Sequence, residues 1–100
     1  MINWIKTIRD KRIEKKIQQL GFKQTFSCAY CVKYERRNLL YDFTQVVIIG
    51  KKKDGNHLIH SMTEEDSSPV GLTGIETKWF LKKMKSLGWY SKIPSNFNIQ

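Results

Sequence analysis

Phe22-Lys23-Gln24-Thr25-Phe26-Ser27-Cys28-Ala29-Tyr30-Cys31-Val32-Lys33-Tyr34 alternates at most of its positions. Phe22, Phe26, Cys28, Tyr30, Val32 and Tyr34 fall on even positions, while Lys23, Thr25, Ser27, Lys33 and Glu35 fall on odd ones. Successive side chains of a strand point to opposite faces, so this pattern predicts one half-buried strand over 22–34. In that register Cys28 joins the apolar row, and Cys28 and Cys31, three apart, diverge. Arg36, Arg37 and Asn38 then read as a turn.

Upstream the period is helical. Ile13, Ile17 and Leu20 share one face of a helix predicted from about Trp4 to Leu20, and Lys11, Arg12, Lys15 and Lys16 lie on the other side. Trp4, Ile5 and Ile8 form a stripe rotated away from the later one, which implies a kink near Asp10 or N-terminal turns that touch another surface. Gly21 ends the helix, with Phe22 as the apolar residue after it.

Downstream, a strand predicted from about Leu40 to Lys51 contains Val46-Val47-Ile48-Ile49, apolar on both faces as a central strand requires. Asp54-Gly55 is a hairpin signal beside Lys51, Lys52 and Lys53, and a third strand follows over His57–Thr63. Glu64 to Pro69 is too polar and broken to be other than loop. Thr73 and Glu76 have capping-box spacing. The helix they open runs to about Leu87, with Phe80, Met84 and Leu87 inward, Leu81 at the margin, and Leu87-Gly88-Trp89 repeating the Leu20-Gly21-Phe22 ending.

The order αβββα predicts an α+β fold: a three-stranded antiparallel sheet with two helices on one face. Residues 1–90 form the domain and 91–100 a tail. Double-stranded-RNA-binding domains share that order and are also small and basic. Their second helix opens with a lysine cluster, where this chain carries Glu76.

The 100 residues hold 18 Lys and Arg against 9 Asp and Glu, a formal charge of +9. The excess sits mainly in the first forty residues, and such a field attracts polyanions. No apolar run is long enough to span a membrane. Charges at Lys6, Arg9, Lys11 and Arg12 interrupt any signal-peptide core, so a cytoplasmic location is expected.

No catalytic residue, metal ligand or cofactor site is expected. Two cysteines cannot supply the second ligand pair of a metal knuckle. A redox Cys-X-X-Cys belongs at a helix start rather than inside a strand. His57 and His60 diverge in their strand, Glu64, Glu65 and Asp66 read as solvated loop charge, and no glycine-rich phosphate cradle occurs.

Two surfaces remain. Lys11, Arg12, Lys15 and Lys16, with Lys51, Lys52 and Lys53, are candidate nucleic-acid contacts. Ile75 and Trp79, bordered by Lys78, Lys82 and Lys85, are a candidate partner site if Trp79 is exposed rather than core. The Trp4, Ile5 and Ile8 stripe is better suited to packing or dimerisation than to a membrane surface.

Leu20-Gly21-Phe22, Tyr41, Phe43 and Thr44, Asn56-His57-Leu58-Ile59, Val70-Gly71-Leu72-Thr73 and Leu87-Gly88-Trp89 together resemble a type of small phage and prophage protein of Gram-positive bacteria. That family offers no activity and no functional residues to carry over. The resemblance implies an accessory protein that binds nucleic acid or a nucleoprotein, or blocks a host defence enzyme as CRISPR-nuclease inhibitors do. A basic chain is unsuited to mimic DNA, so an inhibitor of this kind would engage guide RNA or an acidic protein surface. A third expectation is an oligomeric structural piece.

Overall fold

A computed structural model describes residues 2–51 and 57–89, without the side chains of residues 2–6, 51 and 57. Its elements run α1 (Ile2–Gln19), β1 (Lys23–Ser27), β2 (Cys31–Asn38), β3 (Phe43–Lys51), β4 (His57–Thr63) and α2 (Gly74–Ser86). The strands form one antiparallel sheet in sequence order. The fold is therefore α+β with two helices, as expected, but the sheet has four strands rather than three. The element order departs from that of double-stranded-RNA-binding domains by the extra edge strand.

The correction falls on residues 22–34. Alternation there runs through two irregularities that carry no glycine, proline or asparagine to announce them. The Cys28 N–H donates to the Cys31 carbonyl at 2.9 Å, and the Tyr30 N–H donates to Cys28 Sγ at 3.4 Å. Cys28 thus caps its own turn as a serine or asparagine does elsewhere. A bulge between Gln24 and Phe26 shifts the register, so that Phe26 pairs with Lys33 and leaves the face that Phe22 occupies. Phe26 is 51% and Tyr30 67% exposed, and Cys28 is also exposed, so none of them belongs to the core as the period implied.

Two further boundaries move. Arg36, Arg37 and Asn38 belong to β2 and pair with Gln45, Thr44 and Phe43. The turn comes later, over 39–42, which delays the start of β3 to Phe43. There Asp42 takes φ 56°, and the Tyr41 N–H donates to Asn38 Oδ1 at 3.0 Å.

The core lies between one sheet face and both helices. Val32 and Tyr34 of β2 pair with Ile49 and Val47 of β3 and meet Ile17, Phe22, Phe80 and Met84. Ile13 and Leu20 pack against this cluster from α1, so the predicted inward stripe is observed. β3 is paired on both sides, and Val46, on the face away from the helices, is also buried. α1 runs without interruption through Asp10. Ile8 is exposed, and Trp4 and Ile5 have no described side chains.

Both helices end in the same motif. At α1 the Phe22 N–H reaches the Ile17 carbonyl and the Gly21 N–H reaches that of Gln18; at α2, Trp89 and Gly88 do the same with Met84 and Lys85. Gly21 and Gly88 have φ of +97° and +78°. The two sites differ in space. A Cβ at Gly21 would lie 3.0 Å from Arg36 Cδ, whereas one at Gly88 meets nothing within 4 Å. Gly88→Ala should therefore cost only the left-handed strain, about 1–2 kcal/mol. Gly21→Ala should cost measurably more, because Arg36 must also move. Urea denaturation of the two variants side by side checks the order, and equal losses would contradict it.

Candidate nucleic-acid interface

The interface begins with where α1 sends its charges. The packing of Ile13, Ile17 and Leu20 against the core fixes the helix rotation, and Lys11, Arg12 and Lys15 emerge exposed with Lys16 half-buried beside them. None of these four is ion-paired among the described residues. Glu14 is held by Lys83 of α2 at 2.6 Å and accepts the Tyr34 hydroxyl. Burial and then that bond to Glu14 push the Tyr34 phenol far above its ordinary range, so Tyr34 stays a neutral donor. Asp10 is half-buried, with Oδ1 out of contact with water. The helix therefore sorts its charge in part: Lys11, Arg12 and Lys15 are exposed, while Asp10 and Glu14 are half-buried, bordering the same open groove as Lys11 and Lys15.

Helical geometry extends the face. Arg9, exposed, precedes Arg12 and Lys16 at spacings of three and seven, and Ile8 lies between the Arg12 and Lys11–Lys15 rows, 50% exposed. Arg9 was missing from the expected set, although its wheel position was readable from the inward stripe. The turn over 64–66 does not fold over these cations. Glu65 faces Arg37 at 3.8 Å. Asp66 accepts from Thr63 and Ser68, bonds that lower its carboxyl to about 2.

The second patch is less free than expected. Trp79 is partly buried and packs against the core. Its ring carries the ammonium groups of Lys78 and Lys82 at 5.5 and 5.4 Å from the centroid, within cation–π range. Ile75, Lys78, Lys82 and Lys85 are exposed. The structure thus brings four of the five residues to the surface and makes the fifth a half-covered platform. Lys83 marks the helix–helix seam. Outward from it on α2 comes the Trp79 flank, and outward from Glu14 on α1 come Lys11 and Lys15.

Lys51 ends β3, but its side chain, with all of Lys52 and Lys53, lies outside the described residues, as does Asp54-Gly55. His60 is exposed on β4, and no cluster of three or more His, Cys, Asp or Glu capable of holding a metal occurs among the described residues. No described helix is long and apolar enough to cross a membrane.

One exposed apolar feature was not anticipated. Leu39, Leu40 and Tyr41 are 85%, 82% and 73% exposed in the β2–β3 turn. Arg37 braces that turn through Asp42 and through Thr44 Oγ1 at 3.1 Å. A strand predicted from about Leu40 took Leu40 and Tyr41 for strand rather than turn.

The chain matches no known family model, no curated protein and no solved structure.

Proposed function

We propose that this domain is a non-enzymatic accessory protein, of the phage type its sequence resembles, that binds nucleic acid or a nucleoprotein through the outer face of α1. The observation that carries this reading is the sorting of charge on that helix. Glu14 is occupied by Lys83 and Tyr34, and none of Lys11, Arg12, Lys15 and Lys16 is ion-paired among the described residues. Free cations on a rigid helix release phosphate counterions at little ordering cost. Lys78 and Lys82, over the half-covered Trp79 ring, extend the positive surface across the seam.

Replacing Lys11, Arg12, Lys15 and Lys16 together by glutamine tests it. Fluorescence anisotropy with labelled duplex and single-stranded oligonucleotides should give the parent a log–log salt slope of about −3 to −4 on duplex DNA from these four contacts. The variant should lose that slope and most of its affinity at low salt while keeping the parent's melting temperature. An unchanged slope would remove α1 from the interface.

A second reading is an inhibitor that binds a host protein. Exposed Ile75 and the Leu39-Leu40-Tyr41 turn favour it, since apolar side chains in a braced turn suit a protein pocket better than a phosphate backbone. Capture of a protein partner that survives nuclease treatment, and is lost on Leu40→Ser, would favour this reading over the first.

A further inference from the structure

Cys28 and Cys31 flank the β1–β2 turn with Sγ atoms 3.6 Å apart, close to van der Waals contact, rather than on opposite faces. The turn bond from the Cys28 N–H to the Cys31 carbonyl holds the two backbones together. A disulfide needs the two Cα atoms within about 4.4–6.8 Å, a separation that the ends of a β-turn satisfy. Closing the sulfurs to bonding distance then asks only for side-chain rotation, with no strand displaced. Cys28 is exposed and Cys31 half-buried, so one sulfur is open to a reagent and the other is shielded beside it.

We propose that Cys28 and Cys31 are a reversible dithiol–disulfide pair that exchanges with low-molecular-weight disulfides, Cys28 attacking and Cys31 resolving. The Cys28 thiolate attacks one sulfur of a small disulfide such as oxidised glutathione, forming a mixed disulfide and expelling one thiolate. Cys31 loses its proton and attacks Cys28 Sγ, expelling the second thiol. The protein gives up two electrons and two protons, and the small disulfide leaves as two thiols.

The asymmetry of the pair fits these roles. The Tyr30 N–H, and then the Cys31 thiol, hold Cys28 below the ordinary thiol range, although its partial desolvation works the other way. Desolvation, and then the neighbouring Cys28, raise Cys31. Attack by the lower thiol and resolution by the higher one is the order this arrangement favours.

The structural consequence concerns the sheet edge. β1 is an edge strand whose five residues are all exposed, joined to the rest through its ladder with β2. Oxidation would tie the turn end of that ladder shut, and reduction would leave it held by backbone bonds alone. The closed loop is too short to add much global stability, so the effect is local to the hairpin.

The test uses the full chain, reduced and then incubated with oxidised glutathione, followed by alkylation and intact-mass measurement. The parent should lose two hydrogens, accept no alkyl group and carry no glutathione. Cys31→Ser should accumulate one glutathione on Cys28, and Cys28→Ser should react more slowly. Because both positions border an exposed turn, far-UV circular dichroism of the variants should match that of the parent. Stable glutathione adducts on the parent, chains joined to one another, or no reaction would each overturn the proposal. So would stoichiometric protection of both thiols by zinc alone, which would make the pair metal ligands instead.

Discussion

Arg36→Met should lower stability by about 3 kcal/mol, the lower end of what breaking a buried ion pair costs. The melting temperature should then fall by about 12–24 °C. The guanidinium joins three parts of the fold. It donates to Glu76 Oε2 at 2.6 Å, to the Leu20 carbonyl at 3.0 Å and to Gln45 Oε1 at 2.8 Å, and it lies 4.1 Å over the Phe22 ring. It thereby ties the end of α1 to the start of α2 and to β3. Gln45 continues the network to Ser61 Oγ at 2.8 Å. Truncation leaves Glu76, with 7% of its side chain exposed, as a charge without its counter-ion. The Arg36 side chain itself keeps 28% exposure, which is why the lower end of the range applies.

Two features separate this from simple loss of packing. Adding Glu76→Gln should recover part of the loss, because glutamine keeps the bond to the Thr73 N–H without the stranded charge; coupling between the sites should reach about 1–3 kcal/mol. The pH dependence should also change. In the parent, burial raises the Glu76 carboxyl, but bonds from Thr73 and the Arg36 charge outweigh it and leave the group below its ordinary value of 4.5. A lowered acid contributes stability that is present above the unfolded value and lost as pH falls through the folded one. Without Arg36 the lowering by its charge and its bond is gone while burial still raises the group, so the carboxyl rises from its position in the parent. The variant should then gain stability relative to the parent as pH falls below about 5. Denaturation midpoints measured across that range would show it, and parallel curves would refute the assignment.

Arg36 also shows where the sequence stops being informative. Its neighbours read as a turn because two arginines and an asparagine look solvated, and nothing local announces that Glu76, forty positions away, waits for the first of them. Both helices, both Schellman endings and the capping box were legible because each depends on residues within one turn of one another. β4 was legible for the same reason, with polar loops bounding a short apolar run. The hairpin at Cys28–Cys31 was not, because its turn is closed by one backbone bond and one bond to a sulfur instead of the usual turn residues. The thiol pair was misjudged as a direct consequence: one misplaced turn moved both sulfurs to opposite faces. The α1 face came through intact, since Ile13, Ile17 and Leu20 fix the rotation and everything else on the helix follows. Trp79 did not, because its position at the margin of the apolar arc fits core and surface equally, and it serves as both.

Phe80→Ala should be the most damaging single truncation, costing about 3–5 kcal/mol. Phe80 is fully buried. Its ring meets Phe22 edge-on at 5.0 Å and 79°, and Tyr34 at 5.4 Å and 58°. It is where α2, the end of α1 and β2 converge, with Ile17, Val47 and Met84 in the same cluster. A domain of this size has about 5–15 kcal/mol in all, so alanine would remove a large share and leave a substantial unfolded population on warming. Phe80→Leu keeps most of the volume and should lose less, about 1–3 kcal/mol. The comparison bears on function as well as on packing. Ile17 and Phe22 hold α1 in the rotation that turns Lys11, Arg12 and Lys15 outward, so loosening Phe80 unsettles the charged face from behind. Phe80→Ala should thus weaken oligonucleotide binding and melt early, whereas the glutamine quadruple variant weakens binding without melting early. If Phe80→Ala bound oligonucleotides as tightly as the parent at a temperature where its circular dichroism shows it unfolded, binding would need only an unstructured basic chain, and the folded α1 face would have no role in it.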